Sequence, residues 1–334
     1  MRPTRRRKRR TFLSVTVIAI ALFGCSSTGR HAPVDVDPDM QTARSIESNM
    51  IARRLERMSL RQRIGQRFII YVPREFGKTD GGDVAQSYVE IVKRGAPAGV
   101  IVYPWNARNR SDMRRLTDKI QALSRFNPNG GTFFICADQE GGRVAAYRFR
   151  DMIRLPAAAD IARQASSEAP ETIDTHYVYS VAYTLGRDLR SLGINMNLAP
   201  VLDLHDGRTR DIIGDRAWSD DPAVVARFGR AYIEGMERAG VITTAKHFPG
   251  HGTTSVDSHG RLPVVELDRN RLDKRDAYPF RAAIEGGIPA IMTAHILFPK
   301  IDPEYPVTLS EVFLHTLLRD EYKFDGVIIS DGLS

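Results

Sequence analysis

Residues 246–259 read KHFPGHGTTSVDSH: three histidines, a lysine and an aspartate, with glycines and one proline between them. Three chemistries use such residues at such spacings. The first is a metal site. His247 and His251 stand four apart, as in a helix-borne zinc pair, but Pro249 and Gly250 between them oppose a helix, and no HExxH is present. The second is a phosphate cradle. Gly250 and Gly252 would suit one, yet no helix start follows them. The third is an acid/base device. Asp257 and His259 flank a single residue, so in an extended loop both side chains point the same way. The carboxylate would then fix the tautomer of the ring and favour its protonated form. An imidazole that titrates near neutrality can give up a proton and take one back. Taken alone, a DSH triplet is more simply a polar surface turn, so its meaning depends on the rest of the chain.

Seven short apolar runs recur along the chain: RFIIYV (67–72), GVIVYP (99–104), FFICAD (133–138), INMNLAP (194–200), TTAKHF (243–248), AIMTAH (290–295) and GVIISD (326–331). Near-continuous apolar runs are expected of parallel strands buried on both faces. Helical stretches lie between them, such as RSDMRRLTDKIQALSRF and DPAVVARFGRAYIEGMERAG. A helix is expected near 45–57, and Ser59 with Gln62 has the spacing of a capping box. The alternation predicts an α/β fold, either an open doubly wound sheet or a (β/α)8 TIM-type barrel. Asp138, Lys246, His247, His295 and Asp331 all stand at or just past the C-terminal ends of different runs. A barrel gathers all those ends round one mouth, whereas an open sheet gathers ligands at one switch point, so the barrel is the expectation. No GxGxxG follows the first strand and no GxxxxGK[ST] is present, which argues against a nucleotide cofactor. The sequence ends three residues after the seventh run, so the eighth strand is expected to be missing, as in a truncated product.

The net charge of +8 invites a nucleic-acid reading, but it is concentrated in residues 1–10, MRPTRRRKRR. Setting aside those seven basic residues leaves 41 basic against 40 acidic, a balance of +1. Nucleic-acid binding is therefore not expected. The basic start leads into FLSVTVIAIALF and then Gly24-Cys25, the order of an export leader. LFGC resembles a lipobox, and RRTFL resembles a twin-arginine signal. Residues 1–24 are thus expected to be a signal peptide, with lipidation at Cys25. Residues 25–44 read as a polar tether and 45–334 as the folded domain. The expected location is outside the cytoplasm, anchored by lipid to the cell membrane or outer membrane. Cys136, the other cysteine, lies in an apolar run and reads as a small buried hydrophobe.

Several motifs occur in a fixed order: MSLRQRIGQRF, DQEGGRV (138–144), LAPVLD (198–203), IGDRAW (213–218), KHFPGHG with DSH, PVTLS (306–310) and IISDGLS (328–334). Together they resemble glycoside hydrolase family 3, most closely its β-N-acetylglucosaminidase branch, from about Met58 to Ser334. The resemblance implies a retaining, cofactor-free and metal-free exo-glycosidase acting on β-linked N-acetylglucosamine in glycans or peptidoglycan fragments. It implies Asp331 as nucleophile and His259 as general acid/base, with Asp257 as its partner. Asp138, Arg216, Lys246 and His247 would bind substrate. Family members often carry a further arginine after GGRV; here Ala145-Ala146-Tyr147 intervene, and Arg148 is the candidate for that role. Gly332 stands where the branch usually has a second aspartate.

From the residues themselves, Asp331 could equally cap a following helix. Glu140, followed by Gly-Gly, reads as part of a turn. Asp203 reads as a loop organiser and His251 as a shaper of its loop, while His295 is either packed or mouth-lining. Two alternatives accompany the leading reading. One is another family 3 β-glycosidase or a phosphorylase; the other is a non-catalytic glycan-binding lipoprotein or inactive fragment.

Overall fold

Each of the seven apolar runs contains a strand. In the computed structural model these are β2 (Phe68–Tyr71), β3 (Gly99–Ile101), β4 (Phe134–Ala137), β7 (Met196–Asn197), β8 (Ile242–Phe248), β9 (Ala290–Thr293) and β10 (Val327–Ser330). The structure describes residues 17–21, 49–74, 86–127, 131–166, 175–205, 212–251, 254 and 261–333. Cys25, Asp257 and His259 lie outside them.

The seven strands pair in parallel in chain order, with Ile70 beside Val100 and Val100 beside Ile135. On the far side Ala245 pairs with Ile291, and Ile291 with Ile328. Side chains alternate along each strand, so every strand serves two apolar layers. Ile69, Ile101, Cys136, Met196, Met292 and Ile329 fill the barrel interior. Val72, Val100, Ile135 and Ile328 face outward onto the helices. Cys136 is fully buried, and burial pushes its thiol pKa up, consistent with a packing role.

The circle closes through β1 (Val17–Ala21), which pairs antiparallel with both neighbours. Val17 stands beside Ile70 on one side and Ile20 beside Ile329 on the other. The place of an eighth parallel strand is thus held by part of the segment that the sequence assigns to an export leader. Without it, β2 and β10 would each present an unpaired edge.

The helical layer includes residues 49–57, α2 (Leu60–Gly65), α3 (Gln86–Gly95), α4 (Arg110–Ala122), α5 (Ala158–Ser166), α6 (Thr175–Ser191), α7 (Pro222–Arg238), α8 (Arg269–Lys274) and α9 (Tyr278–Glu285). A π-type helix, Val312–Glu321, precedes β10. The capping box at α2 is formed as expected: Ser59 Oγ accepts from the Gln62 N–H and Gln62 Oε1 from the Ser59 N–H. Among the described residues, no helix is long and apolar enough to cross a membrane.

Candidate active site

The C-terminal ends of the strands carry the charged residues. Past β4 the chain turns at Asp138 into a short hairpin, β5 (Gln139–Gly141) and β6 (Val144–Ala145). Asn197 at the end of β7 holds its base: its Oδ1 accepts the Gln139 N–H at 3.0 Å and its Nδ2 donates to the Gln139 carbonyl at 2.9 Å. Gly141, at φ +113°, makes the turn sharp; a Cβ there would stand 2.5 Å from the Pro156 carbonyl oxygen. This geometry points Glu140 into the cluster rather than to solvent.

Glu140 is the hub of four charges. The Arg216 guanidinium meets it with two bonds of 2.8 Å, and Lys246 Nζ stands 2.7 Å from Oε1. Lys246 also donates to Asp138 Oδ1 at 2.8 Å. Burial alone would raise the Glu140 pKa; the Lys246 ammonium, and then Arg216, overcome it and hold the carboxyl down at about 2. Glu140 is therefore ionised at any working pH and has no proton to give. Lys246 is 3% exposed and Asp138 34%, so Asp138 is the member that opens onto the mouth. Its charge, held by Lys246, suits it to accept hydrogen bonds from hydroxyls.

A second cluster sits beside it. Asp203 is fully buried and accepts three kinds of N–H: His247 Nδ1 at 2.7 Å, the His247 backbone at 3.3 Å and the His251 backbone at 2.6 Å. Burial opposes its charge, but His247 outweighs that penalty and the Asp203 pKa is lowered. With Nδ1 donating to Asp203, a neutral His247 keeps its acceptor at Nε2. Burial and then the nearby His247 lower the pKa of His251. The two rings are 5.8 Å apart, edge to face. Among the described residues, no group of three or more His, Cys, Asp or Glu is placed to hold a metal ion.

Asp331 follows β10. Its backbone N–H donates to the Thr293 carbonyl at 3.1 Å, and its Oδ1 accepts the Gly332 N–H at 2.7 Å. His295 braces the same turn: Nδ1 meets Thr308 Oγ1 at 2.8 Å and Nε2 meets the Gly332 carbonyl at 3.2 Å. Thr308 belongs to PVTLS, so that motif supports the residue after Asp331 through one imidazole. Tyr103, just past β3, ties the site together. Its phenol pKa is pushed up to about 12, first by burial, then by the charges of Asp138 and Asp331. Both carboxylates therefore stand within electrostatic reach of one phenol.

The structure thus brings Asp138, Arg216 and Lys246 into one cluster and sets His247 on Asp203. Arg148 is exposed and donates to the Gly142 and Arg143 carbonyls, bracing the hairpin turn from outside the four-charge cluster. Glu140, read from its Gly-Gly neighbours as part of a turn, is in fact the acceptor that organises both cations. No local signal in the sequence marks this, because its partners are supplied from β8 and from the loop before α7.

One further acid underlies the histidine loop. Asp276 is 1% exposed and packs against Gly250, where a Cβ would stand 2.7 Å from the Asp276 Cβ. Arg275 Nη1 meets Oδ1 at 3.1 Å, while Oδ2 has no hydrogen-bond partner among the described residues. Burial, and then the charge of Asp203, raise its pKa from 3.8 to about 6 against the pull of Arg275 and Arg271. A raised folded pKa means that the folded state binds the proton more tightly than the unfolded one. The associated stability is full below about pH 4 and is lost as pH rises through 6. Asp276→Asn is therefore expected to be more stable than wild type at pH 8, by on the order of 2–3 kcal/mol, and nearly equal to it at pH 4. Thermal unfolding at the two pH values measures this, and a pH-independent difference would contradict it.

Comparison with known proteins follows the same lines. Residues 59–334 match the family model described as glycosyl hydrolase family 3 N terminal domain. The chain is 35% identical over 256 residues to beta-hexosaminidase A of Pseudoalteromonas piscicida, covering 73% of this chain and 42% of that protein. It is similar to the solved glycoside hydrolase family 3 beta-N-acetylglucosaminidase from Paenibacillus sp. str. FPU-7, with TM-score 0.72 and 33% identity over 82% of this chain and 49% of that one. NagZ from Neisseria gonorrhoeae, solved in complex with N-trifluoroacetyl-D-glucosamine, superposes with TM-score 0.69 and 31% identity, over 75% of this chain and 71% of its own. The chain spans less than half the length of the first two of these proteins.

Proposed function

Because the chain belongs to the glycosyl hydrolase family 3 N-terminal domain family, we propose that it hydrolyses terminal β-linked N-acetylglucosamine, with glycans and peptidoglycan fragments as its substrates. The observation that carries the proposal is the convergence at one rim of Asp331, the exposed edge of Asp138 on Lys246, and the Asp203–His247 pair. The N-acetylglucosamine analogue bound by the gonococcal relative supports the sugar class.

In the proposed reaction the sugar docks with its hydroxyls on Asp138 and His247, which fixes the ring over Asp331. The Asp331 carboxylate attacks C1 while the C1–O bond to the leaving group breaks. The departing oxygen takes a proton from His259, whose charged form Asp257 favours. Water then attacks C1 of the glycosyl ester and gives its proton to His259, and the Asp331 carboxylate leaves. Lys246, buried under Asp138 and Glu140, keeps Asp138 ionised throughout. The deciding experiment is trapping with an activated 5-fluoro-N-acetylglucosaminyl donor, followed by peptide mass mapping. The added mass belongs on the peptide containing Asp331; a label on another residue, or turnover without any label, sinks the proposal.

The same reading includes export and a lipid anchor at Cys25. The support is the basic start, the apolar run and LFGC. Cleavage before Cys25 would remove β1 and leave β2 and β10 open between them. Mass spectrometry of the membrane fraction should find Cys25 as an acylated N-terminus. Mature protein that still carries residues 17–21 would rule the export reading out.

A further inference from the structure

Between β3 and α4 the chain makes one turn of 3-10 helix, Pro104–Asn106, on the rim of the barrel. Its centre is Trp105, one of two tryptophans in the chain. The other, Trp218, is buried against Phe228 and Tyr232. Trp105 is 43% exposed, yet it is held in place. Its indole stacks on the Tyr103 ring with centroids 4.5 Å apart and planes 13° from parallel. The turn beneath it is clamped by Asn106, which is buried. Asn106 Oδ1 accepts the Tyr103 N–H at 2.7 Å, and its Nδ2 donates to the Val72 carbonyl at 3.0 Å. The turn is thereby fastened to the end of β2 as well as β3.

Position gives this pair a meaning that a lone exposed tryptophan lacks. Tyr103 packs on the apolar layer inside the barrel and lies within electrostatic reach of Asp138 and Asp331. Trp105 lies one ring farther out. Other exposed apolar side chains, such as Leu60 and Leu309, are aliphatic and carry no such stack. A flat, preorganised aromatic face beside polar groups is complementary to a pyranose, whose axial C–H bonds form an apolar face and whose rim carries hydroxyls.

We infer that Trp105, backed by Tyr103, is the platform for the leaving-group sugar, the residue to which the cleaved N-acetylglucosamine is joined. This rests on the glycosidase reading above. The cleaved ring must place C1 at Asp331 and its hydroxyls on the Asp138 cluster. The next ring along the glycan then falls outward, where Trp105 stands. The platform favours oligosaccharides over substrates with a small aglycone, without taking part in bond cleavage.

Kinetics and binding test this separately. Trp105→Ala is expected to raise KM for N,N′-diacetylchitobiose about tenfold while kcat stays within about threefold. KM for methyl β-N-acetylglucosaminide, which has no second ring, should be unchanged. Trp105→Tyr should restore most of the disaccharide KM, because it keeps an aromatic face. Equal effects on both substrates, or none on either, would overturn the inference. Calorimetric titration of chitotriose into Asp331→Ala protein, with and without Trp105→Ala, decides the question independently of turnover. About tenfold weaker binding supports the platform, and unchanged binding rejects it. Absence of turnover in wild type with tight, Trp105-dependent binding would count against the hydrolase reading and leave the platform standing.

Discussion

Asp331→Gly is expected to lower kcat/KM for an aryl β-N-acetylglucosaminide by at least about ten-thousand-fold, because it removes the atom that must bond to C1. Folding should suffer little: Asp331 is partly exposed at a strand end, and the Thr293 carbonyl receives its bond from the Asp331 backbone, which the substitution keeps. The lost side-chain contact is one local bond from the Gly332 N–H. Azide should restore part of the activity by entering the space of the carboxylate and attacking C1 from the same side. The product would then be an α-glycosyl azide, identifiable by its anomeric proton. Asp331→Glu is expected to be poorly active too, since one extra methylene shifts the nucleophile by on the order of 1 Å and geometric errors of that size cost about a hundredfold. Near-wild-type turnover by Asp331→Gly would leave the residue as a strand-end cap and remove the proposed mechanism.

Glu140→Ala is expected to have the largest effect on stability. It strips the shared acceptor from Lys246 and Arg216 and leaves Asp138 as the remaining partner of Lys246 in the cluster. Removing one partner from a buried ion-pair network costs about 3–5 kcal/mol, because the others stay desolvated and uncompensated. The pH dependence has a definite sign. Glu140 is held at about 2 against an ordinary 4.5, so its stabilisation is present above pH 4.5 and is lost as pH falls through 2. That shift corresponds to about 3 kcal/mol, in keeping with the network figure. Wild type and Glu140→Ala should therefore differ most near neutral pH and converge in acid. Denaturant unfolding at pH 7 and pH 3 measures both; a variant as stable as wild type at pH 7 would show that the network is dispensable. Activity should fall as well, since Lys246 would no longer be fixed under Asp138. Glu140→Gln keeps the shape without the charge and should fall between the two.

The strands and the rim were legible from residues alone for a simple reason. A strand buried on both faces must be apolar along its whole length, so RFIIYV, FFICAD and GVIISD announce themselves, and polar residues at their ends mark where burial stops. The capping box at Ser59 is equally local: two side chains and two backbone N–H groups within one turn. The ordered motifs carried the family. Asp257 and His259, the reading's proton donor pair, lie outside the described residues.

Other features depend on partners far apart in the chain. Glu140 looks like a turn residue because Gly141 and Gly142 follow it, yet Arg216 and Lys246 arrive from 76 and more residues away to make it a hub. Asp203 acquires its role only when β8 brings His247 and His251 beside it. His295 could not be assigned until Thr308 and Gly332 closed round it. Asp276 gives no sign in sequence of the burial that raises its pKa. Val17–Ala21 reads as leader, and only the open edges of β2 and β10 give it a place in the sheet. Apolar periodicity is a property of neighbours along the chain, so sequence alone determined the strands, their order and the rim on which chemistry would sit. Ion pairs, desolvation and aromatic stacking depend on distance in space, so the tertiary structure alone decided which charges meet there and how each is held.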